Sequence, residues 1–111
     1  MIFMLRFLIQ VIGWLVPRSQ RAAPVNRGAR VQVSVISGAQ PALEVIHDWN
    51  GSWTVSDGAS DINRPGLAVD THLSRAALWD ESIVQLAKME PGTIARRRHR
   101  SAAWRITPLS M

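Results

Sequence analysis

Alternation of apolar and polar residues marks the strands in the first half of the chain beyond residue 30. Residues 31–37 (VQVSVIS) alternate with a period of two, which is typical of a β-strand. Residues 42–48 (ALEVIHD) and 52–57 (SWTVSD) predict a second and a third strand. Residues 67–72 (LAVDTH) are a shorter candidate. The pattern therefore predicts three strands and leaves a fourth open.

The stretch HDWNGSW, residues 47–53, connects the second predicted strand to the third. A two-residue turn at Asn50 and Gly51 is one option. It would place Glu44 opposite Asp57, and like charges that face each other across a strand pair are unfavourable. The two-residue turn is therefore disfavoured.

A four-residue type I turn from Asp48 to Gly51 is the alternative, with Asp at the first position and a left-handed glycine at the last. It places His47 opposite Trp53 and Val45 opposite Val55. This register collects the apolar side chains on one face, so it is the predicted one. We then expect His47, Asp48, Gly51 and Trp53 to be structural residues of a hairpin.

A helical segment follows the strands. Apolar side chains recur at helical spacing at Ala76, Trp79, Ile83 and Leu86. Two starts compete. One long helix could begin at Ser74, or a second helix could begin at Asp80 or Ser82, where residues 82–85 fit the capping-box pattern. Pro-Gly at 91–92 ends the helix.

The fold class follows from the order of the predicted elements, of which the last is a hairpin. Residues 93–100 and 104–108 are predicted to form a hairpin around the sequence SAA. The order of three strands, a helical segment and a two-strand hairpin indicates an α+β domain over residues 31–108, with a small, mainly antiparallel sheet.

The N-terminus is organised differently. Residues 1–16 are apolar apart from Arg6, Gln10 and Gly13, and they are shorter than the roughly 20 residues that a spanning helix needs. Four interpretations are open: a dispensable extension from an upstream start, a membrane-associated helix, a secretory signal, or a helix of the core. Residues 17–30 predict a basic linker.

Charge is distributed unevenly along the chain. Residues 1–30 and 92–111 each hold five arginines and no acid, whereas residues 31–91 hold all eight acids against three basic residues. The basic ends either pair with the acidic middle in the fold or bind an anionic partner. Because cysteine is absent, no thiol chemistry is available, and we expect a cytoplasmic protein, with membrane association through residues 1–16 as an option.

The hairpin motif is similar to a motif found in other proteins. The sequence PALEVIHDWNGSW (residues 41–53) resembles the signature of a family of small, uncharacterised bacterial proteins, in which Pro and an apolar strand precede His-Asp-x-x-Gly-x-Trp. Later segments, DESI (80–83), MEPG (89–92), ARRR (95–98) and Trp104, extend the likeness to residues 31–105. Glu81 replaces a proline that is usual in the family. The resemblance implies a fold and no established activity.

A metal site is one candidate chemistry. His47, Asp48, Asp70 and His72 are residue types that bind zinc or iron. Asp70 and His72 would share one face of a strand. A metal-dependent hydrolase would require this pair to meet His47 and Asp48, about twenty residues earlier in the chain. No cofactor is expected.

The arginine run RRRHR is the other candidate. If residues 96–100 form a strand, Arg96, Arg98 and Arg100 share one face at intervals of roughly 6–7 Å, which could follow the phosphates of a nucleic acid. The alternative is a solvated or internally paired edge strand.

The sequence offers little sign of catalysis. Neither a Gly-x-Ser-x-Gly elbow nor a phosphate-binding glycine loop occurs. The sequence therefore predicts a binding or interaction domain without catalytic activity. Its partner could be a protein or a membrane surface. The alternative is a nucleic-acid-binding protein that uses Arg96, Arg97, Arg98 and Arg100.

Overall fold

The structure is a computed structural model that describes residues 27–59 and 61–110. The strands in these residues are β1 (Gly28–Gln32), β2 (Glu44–His47), β3 (Trp53–Ser56), β4 (Ala68–His72), β5 (Thr93–Arg96) and β6 (Arg105–Pro108). The helices are α1 (Val33–Ile36), α2 (Leu73–Ala77) and α3 (Ser82–Leu86). The predicted α+β class is confirmed.

The six described strands form one sheet in the order β4-β1-β3-β2-β5-β6. β1 and β3 are parallel, and the other neighbouring pairs are antiparallel. The sheet is therefore mixed. It has one strand more than the predicted three plus two, because residues 67–72 contribute β4 at an edge.

One face of the sheet carries the core. Strand residues on this face alternate with residues on the other face, and the short helices supply the opposing layer. The largest fully buried side chains are Leu73, Ile83, Val31, Val45 and Val55. The opposite face carries polar and charged residues, among them Glu44, Thr54, Arg96 and Arg105.

The predicted first strand, residues 31–37, is wrong in its extent. β1 begins at Gly28, inside the predicted linker, and the chain turns into α1 at Val33. A continued strand would put Val31, Val33 and Val35 on one face. The helical turn instead buries Val35 and leaves Val33 41% exposed. Of these two valines only Val35 joins the core, so the local alternation does not decide the structure here.

The predicted turn between β2 and β3 is confirmed. The amide of Gly51 donates to the carbonyl oxygen of Asp48 over 2.9 Å, and Gly51 has a φ of +90°. His47 lies opposite Trp53 and Val45 opposite Val55, as the four-residue turn requires. The amide of Trp49 donates to the Asp48 carboxylate over 2.7 Å, so Asp48 has the expected structural role.

The helical segment forms two helices, which excludes the single long helix that would begin at Ser74. α2 ends at Ala77 and α3 begins at Ser82. The predicted capping box is also wrong, because no side chain caps α3 in that way. Instead, the carboxylate of Asp80 accepts a hydrogen bond from the Ser82 amide over 3.0 Å and organises the start of α3.

The last hairpin is shorter than predicted. β5 ends at Arg96, and residues 97–104 form the connection to β6. Arg96, Arg98 and Arg100 therefore do not lie at even intervals on one strand face. Arg97 still points inward, as alternation requires, but its guanidinium donates to the carbonyl oxygen of Arg100, and this contact holds the following residues in a bent loop.

The apolar segment 1–16 and most of the predicted linker lie outside the described residues. Among residues 27–59 and 61–110, no helix has the length and apolar character needed to cross a membrane.

Candidate functional site

The buried guanidinium of Arg97 anchors the loop between β5 and β6. Its side chain is 1% exposed and pairs with the carboxylate of Asp80. Nε donates to the Ala42 carbonyl oxygen over 3.0 Å, and Nη1 donates to that of Arg100 over 2.8 Å. The guanidinium carbon also lies 4.1 Å from the centroid of the Trp104 ring. Arg97 therefore stabilises the fold and is not available to a partner.

The hydroxyl of Ser82 joins the helix layer to this loop. It donates to Asp80 Oδ1 over 2.7 Å and accepts from Trp104 Nε1 over 2.8 Å and from Arg97 Nη1 over 3.2 Å. A hydroxyl has one donor and two acceptor positions, and all three are used. Ser82 is thus a junction of a fully connected network.

The carboxylate of Asp80 is the acidic centre of that network. Burial raises the pKa of Asp80, but hydrogen bonds from Ser82 and Arg97, together with the charge of Arg97, outweigh burial. The net effect is a lowered pKa. The carboxylate therefore stays ionised and holds the loop against α3.

An open cleft of about 640 Å³ lies beside the anchored loop. Its lining residues come from β5, β6 and the loop: Arg96, Arg97, Arg98, Ala102, Ala103, Arg105 and Thr107. Four of the seven are arginines, and the three that are exposed, Arg96, Arg98 and Arg105, make the cleft basic.

Arg96 and Arg105 lie directly opposite each other on β5 and β6. Arg96 is also opposite Glu44 of β2, and its Nε donates to the Glu44 carboxylate over 2.9 Å. The side chain of Arg96 is nevertheless 67% exposed. In this row of the sheet, Arg96 thus lies between the carboxylate of Glu44 and the guanidinium of Arg105.

The other arginines of the run differ from one another in their contacts. Arg98 and Arg105 are exposed and make no ion pair or hydrogen bond through their side chains in the described part of the chain. Arg100 is exposed, and its Nη2 donates to the carbonyl oxygen of Trp79. Of the four predicted nucleic-acid-binding residues, three are therefore at the surface and Arg97 is not.

His47 lies at the buried end of β2. Its ring stacks on Trp53 with centroids 3.9 Å apart and an interplanar angle of 12°. Its Nδ1 donates to the Met89 carbonyl oxygen over 2.8 Å, because a carbonyl can only accept. These contacts give His47 a packing role.

The candidate metal ligands are not brought together. His47 and Asp48 are at one end of β2, whereas Asp70 and His72 are on the edge strand β4. Two strands separate β2 from β4, which amounts to roughly 14 Å at the usual strand spacing. Asp70 instead pairs with Arg30, whose Nη1 lies 3.6 Å from Asp70 Oδ1. Among the described residues, no three His, Asp or Glu side chains are grouped closely enough to hold a metal ion.

Two features of the site were not predicted from the sequence. The Asp80-x-Ser82 pattern was interpreted only as a helix start, although both side chains also bind Arg97. The cross-strand pair of Arg96 and Arg105 was not predicted because the predicted hairpin around SAA places Arg96 opposite Pro108, whereas the longer connection in the structure shifts the register by three residues. The inward direction of Arg97 had a local signal, since a strand that turns Arg96 and Arg98 to one face turns Arg97 to the other.

Comparison of the chain with protein-family models, curated proteins and solved structures gives no match.

Proposed function

We propose that this protein is a non-catalytic binding domain and that the arginine cleft binds its anionic partner. The observation that carries the proposal is the like-charged pair of Arg96 and Arg105 on neighbouring strands. Like charges directly opposite each other destabilise a sheet, so a bound anion would remove a cost that the free protein bears.

The remaining contacts of the cleft support this proposal. Arg98 adds a third exposed guanidinium to the same surface, and among the described residues an ion pair with a carboxylate is formed by Arg96, with Glu44, but not by Arg98 or Arg105. The ion pair of Arg97 with Asp80 fixes the loop that carries Arg98. A rigid support reduces the ordering cost of binding.

The test is binding of a fluorescein-labelled heparin oligosaccharide, a general polyanion probe, to the full chain. The variant Arg96→Gln/Arg98→Gln/Arg105→Gln removes the three exposed charges of the cleft. We expect at least about tenfold weaker binding, because each charge-assisted hydrogen bond contributes about 1.5 kcal/mol or more. Fluorescence anisotropy at fixed ionic strength measures the change.

The matched control replaces three exposed arginines outside the cleft: Arg27→Gln/Arg64→Gln/Arg75→Gln. The control lowers the net charge by the same amount. Equal weakening in both triple variants would show that only net charge matters, and it would contradict the proposal.

Nucleic acid is the second candidate partner. The observation in its favour is that the exposed residues His99 and Arg100 continue the basic surface beyond the cleft. If a single strand contacts Arg96, Arg98 and Arg100, the slope of log K against log salt concentration should become shallower by about 0.7 for each contact removed. Replacement of the three by Gln should therefore reduce the slope by about 2, and an unchanged slope would exclude this partner.

The resemblance of residues 31–105 to the bacterial family stays a prediction. It adds no activity to the proposal.

A further inference from the structure

We infer that Arg96 and Arg105 clamp a phosphoryl group and that a small phosphorylated molecule brings it into the cleft. This inference rests on the proposed function and names the class of ligand. It requires that the two guanidinium groups can reach one anion, that charge and shape favour a phosphoryl group, and that the cleft suits a small molecule.

The strand register brings the side chains of Arg96 and Arg105 close enough to reach the same anion. Directly opposed residues on antiparallel strands have Cβ atoms about 4.5–5.5 Å apart, and their side chains leave the sheet on the same side. Arg96 and Arg105 are such a pair. Two arginine side chains of equal length, starting this close together, can approach the same oxyanion from two sides.

The local charge balance favours an anion. In the described part of the chain, the exposed guanidinium groups of Arg96, Arg98 and Arg105 outnumber the nearby carboxylates of Glu44 and Asp57, which share a second pocket with Arg96. The charge of Arg97 is already compensated by Asp80. An excess of positive charge remains, and it attracts a phosphoryl group, which carries a charge of about −1.5 to −2 at pH 7.

The shape of the donors also favours a phosphoryl group over a carboxylate. Each guanidinium offers two parallel N–H groups that fit two oxygens at once. A carboxylate has two oxygens and is satisfied by one such fork. A terminal phosphoryl group has three oxygens and can accept from both Arg96 and Arg105.

The cleft itself suits a small molecule better than a nucleic-acid strand. Its volume of about 640 Å³ lies within the range of roughly 300–1,000 Å³ that is usual for small-molecule sites. Ala102, Ala103 and Thr107 are small and leave room for the rest of the ligand. None of the described lining residues is aromatic, so the stacking platform that single strands use is missing.

The experiment is a calorimetric titration of the full chain with inorganic phosphate at constant ionic strength and pH 7.5. Arg105→Gln should weaken phosphate binding at least about tenfold, whereas Arg75→Gln, an equal change of charge on α2, should leave it within about twofold. Acetate should bind at least about tenfold more weakly than phosphate. An unaffected Arg105→Gln variant, or equal affinity for acetate, would overturn the assignment.

Glu44→Gln provides a variant that should gain affinity. Glu44 accepts a hydrogen bond from Arg96 and repels an incoming dianion. Its neutral isostere should release the guanidinium, and we expect phosphate to bind about threefold or more tightly. A purely structural ion pair would give no gain, so unchanged or weaker binding would contradict the clamp.

Two further probes identify the source of the phosphoryl group. ADP should bind more tightly than inorganic phosphate and compete with it. An octathymidylate that binds more tightly than ADP and depends on the same arginines would assign the site to nucleic acid and overturn the small-molecule ligand. If the heparin probe binds through the cleft arginines but phosphate does not bind, the clamp fails and the proposed function stands. If neither probe binds, both fail.

Discussion

The arginines of a single run have different physical roles, and their burial separates them. Arg97 is buried and satisfied by Asp80, Ser82 and two carbonyl oxygens, whereas its neighbour Arg96 is mostly exposed. A charged side chain that is removed from water needs an opposite charge and hydrogen-bond partners. Removal of one partner therefore leaves an unpaired charge in the interior, which strongly destabilises the fold. The cost of losing a charge should therefore differ sharply between these adjacent positions.

Asp80→Asn tests this difference. It keeps the shape of the side chain and leaves the Arg97 charge buried without its counter-ion, so we expect a loss of about 3 kcal/mol in the free energy of unfolding. The matched change Arg96→Gln breaks an exposed pair with Glu44 and should cost less than about 1 kcal/mol. Urea unfolding measures both through the midpoint at unchanged m-value. Similar costs would mean that burial of Arg97 does not control stability.

The same carboxylate predicts a dependence on pH. The pKa of Asp80 is lower in the folded protein than its ordinary value of 3.8. A group with a depressed folded pKa stabilises the protein above its unfolded pKa, and this contribution is lost as the pH falls through the folded value. The difference in unfolding free energy between the natural protein and Asp80→Asn should have its largest value at pH 7 and should decrease below about pH 4. A difference that stays constant down to pH 2.5 would contradict the assignment.

At the scale of elements, the β5–β6 pair joins stability to binding. The cross-strand pair of Arg96 and Arg105 is unfavourable in the free protein, yet the same two residues form the proposed clamp. A residue pair that opposes folding and supports binding is a pattern typical of functional sites. A change of the Arg105 charge, which leaves the pair of Arg96 with Glu44 in place, should therefore stabilise the protein.

Arg105→Glu changes a repulsive cross-strand pair into an attractive one. We expect the unfolding free energy to rise by about 1 kcal/mol at low salt, and the gain to shrink at 1 M salt, where the Debye length is about 3 Å. Thermal and urea unfolding at two ionic strengths would show this. A destabilised or salt-independent variant would mean that the two side chains do not interact.

At the scale of the whole molecule, features fixed by neighbouring residues could be predicted from the sequence, whereas features fixed by contacts between distant residues could not. The β2–β3 hairpin was predicted in register because turn chemistry and alternation both lie within residues 43–57. The switch from β1 to α1 was not, because the alternation of residues 31–37 continues past Val33 and predicts a strand there. The compensation of the buried Arg97 charge likewise depends on Asp80, which is 17 residues away. The exposed arginines of the cleft were partly predicted, since charge composition is visible without the fold.

The charge pattern of the chain is also resolved in part at this scale. Arg30, Arg96 and Arg97, from the two basic ends, pair with Asp70, Glu44 and Asp80 of the acidic middle. The arginines of the cleft that remain unpaired are the excess that an anion would neutralise. Ligand binding to the folded state alone raises the stability of the entire domain, so the clamp can be tested without a labelled ligand.

Phosphate should therefore stabilise the full chain in proportion to occupancy of the clamp. At a concentration ten times the dissociation constant, the expected gain is about 1.4 kcal/mol. Phosphate also stabilises proteins generally through exclusion from their surface, so the gain must be compared with Arg105→Glu under the same conditions. Exclusion acts on both chains alike, whereas occupancy of the clamp acts only on the natural one. A thermal-unfolding series in phosphate and in chloride of equal ionic strength separates the two effects, and equal stabilisation of both chains would refute the clamp.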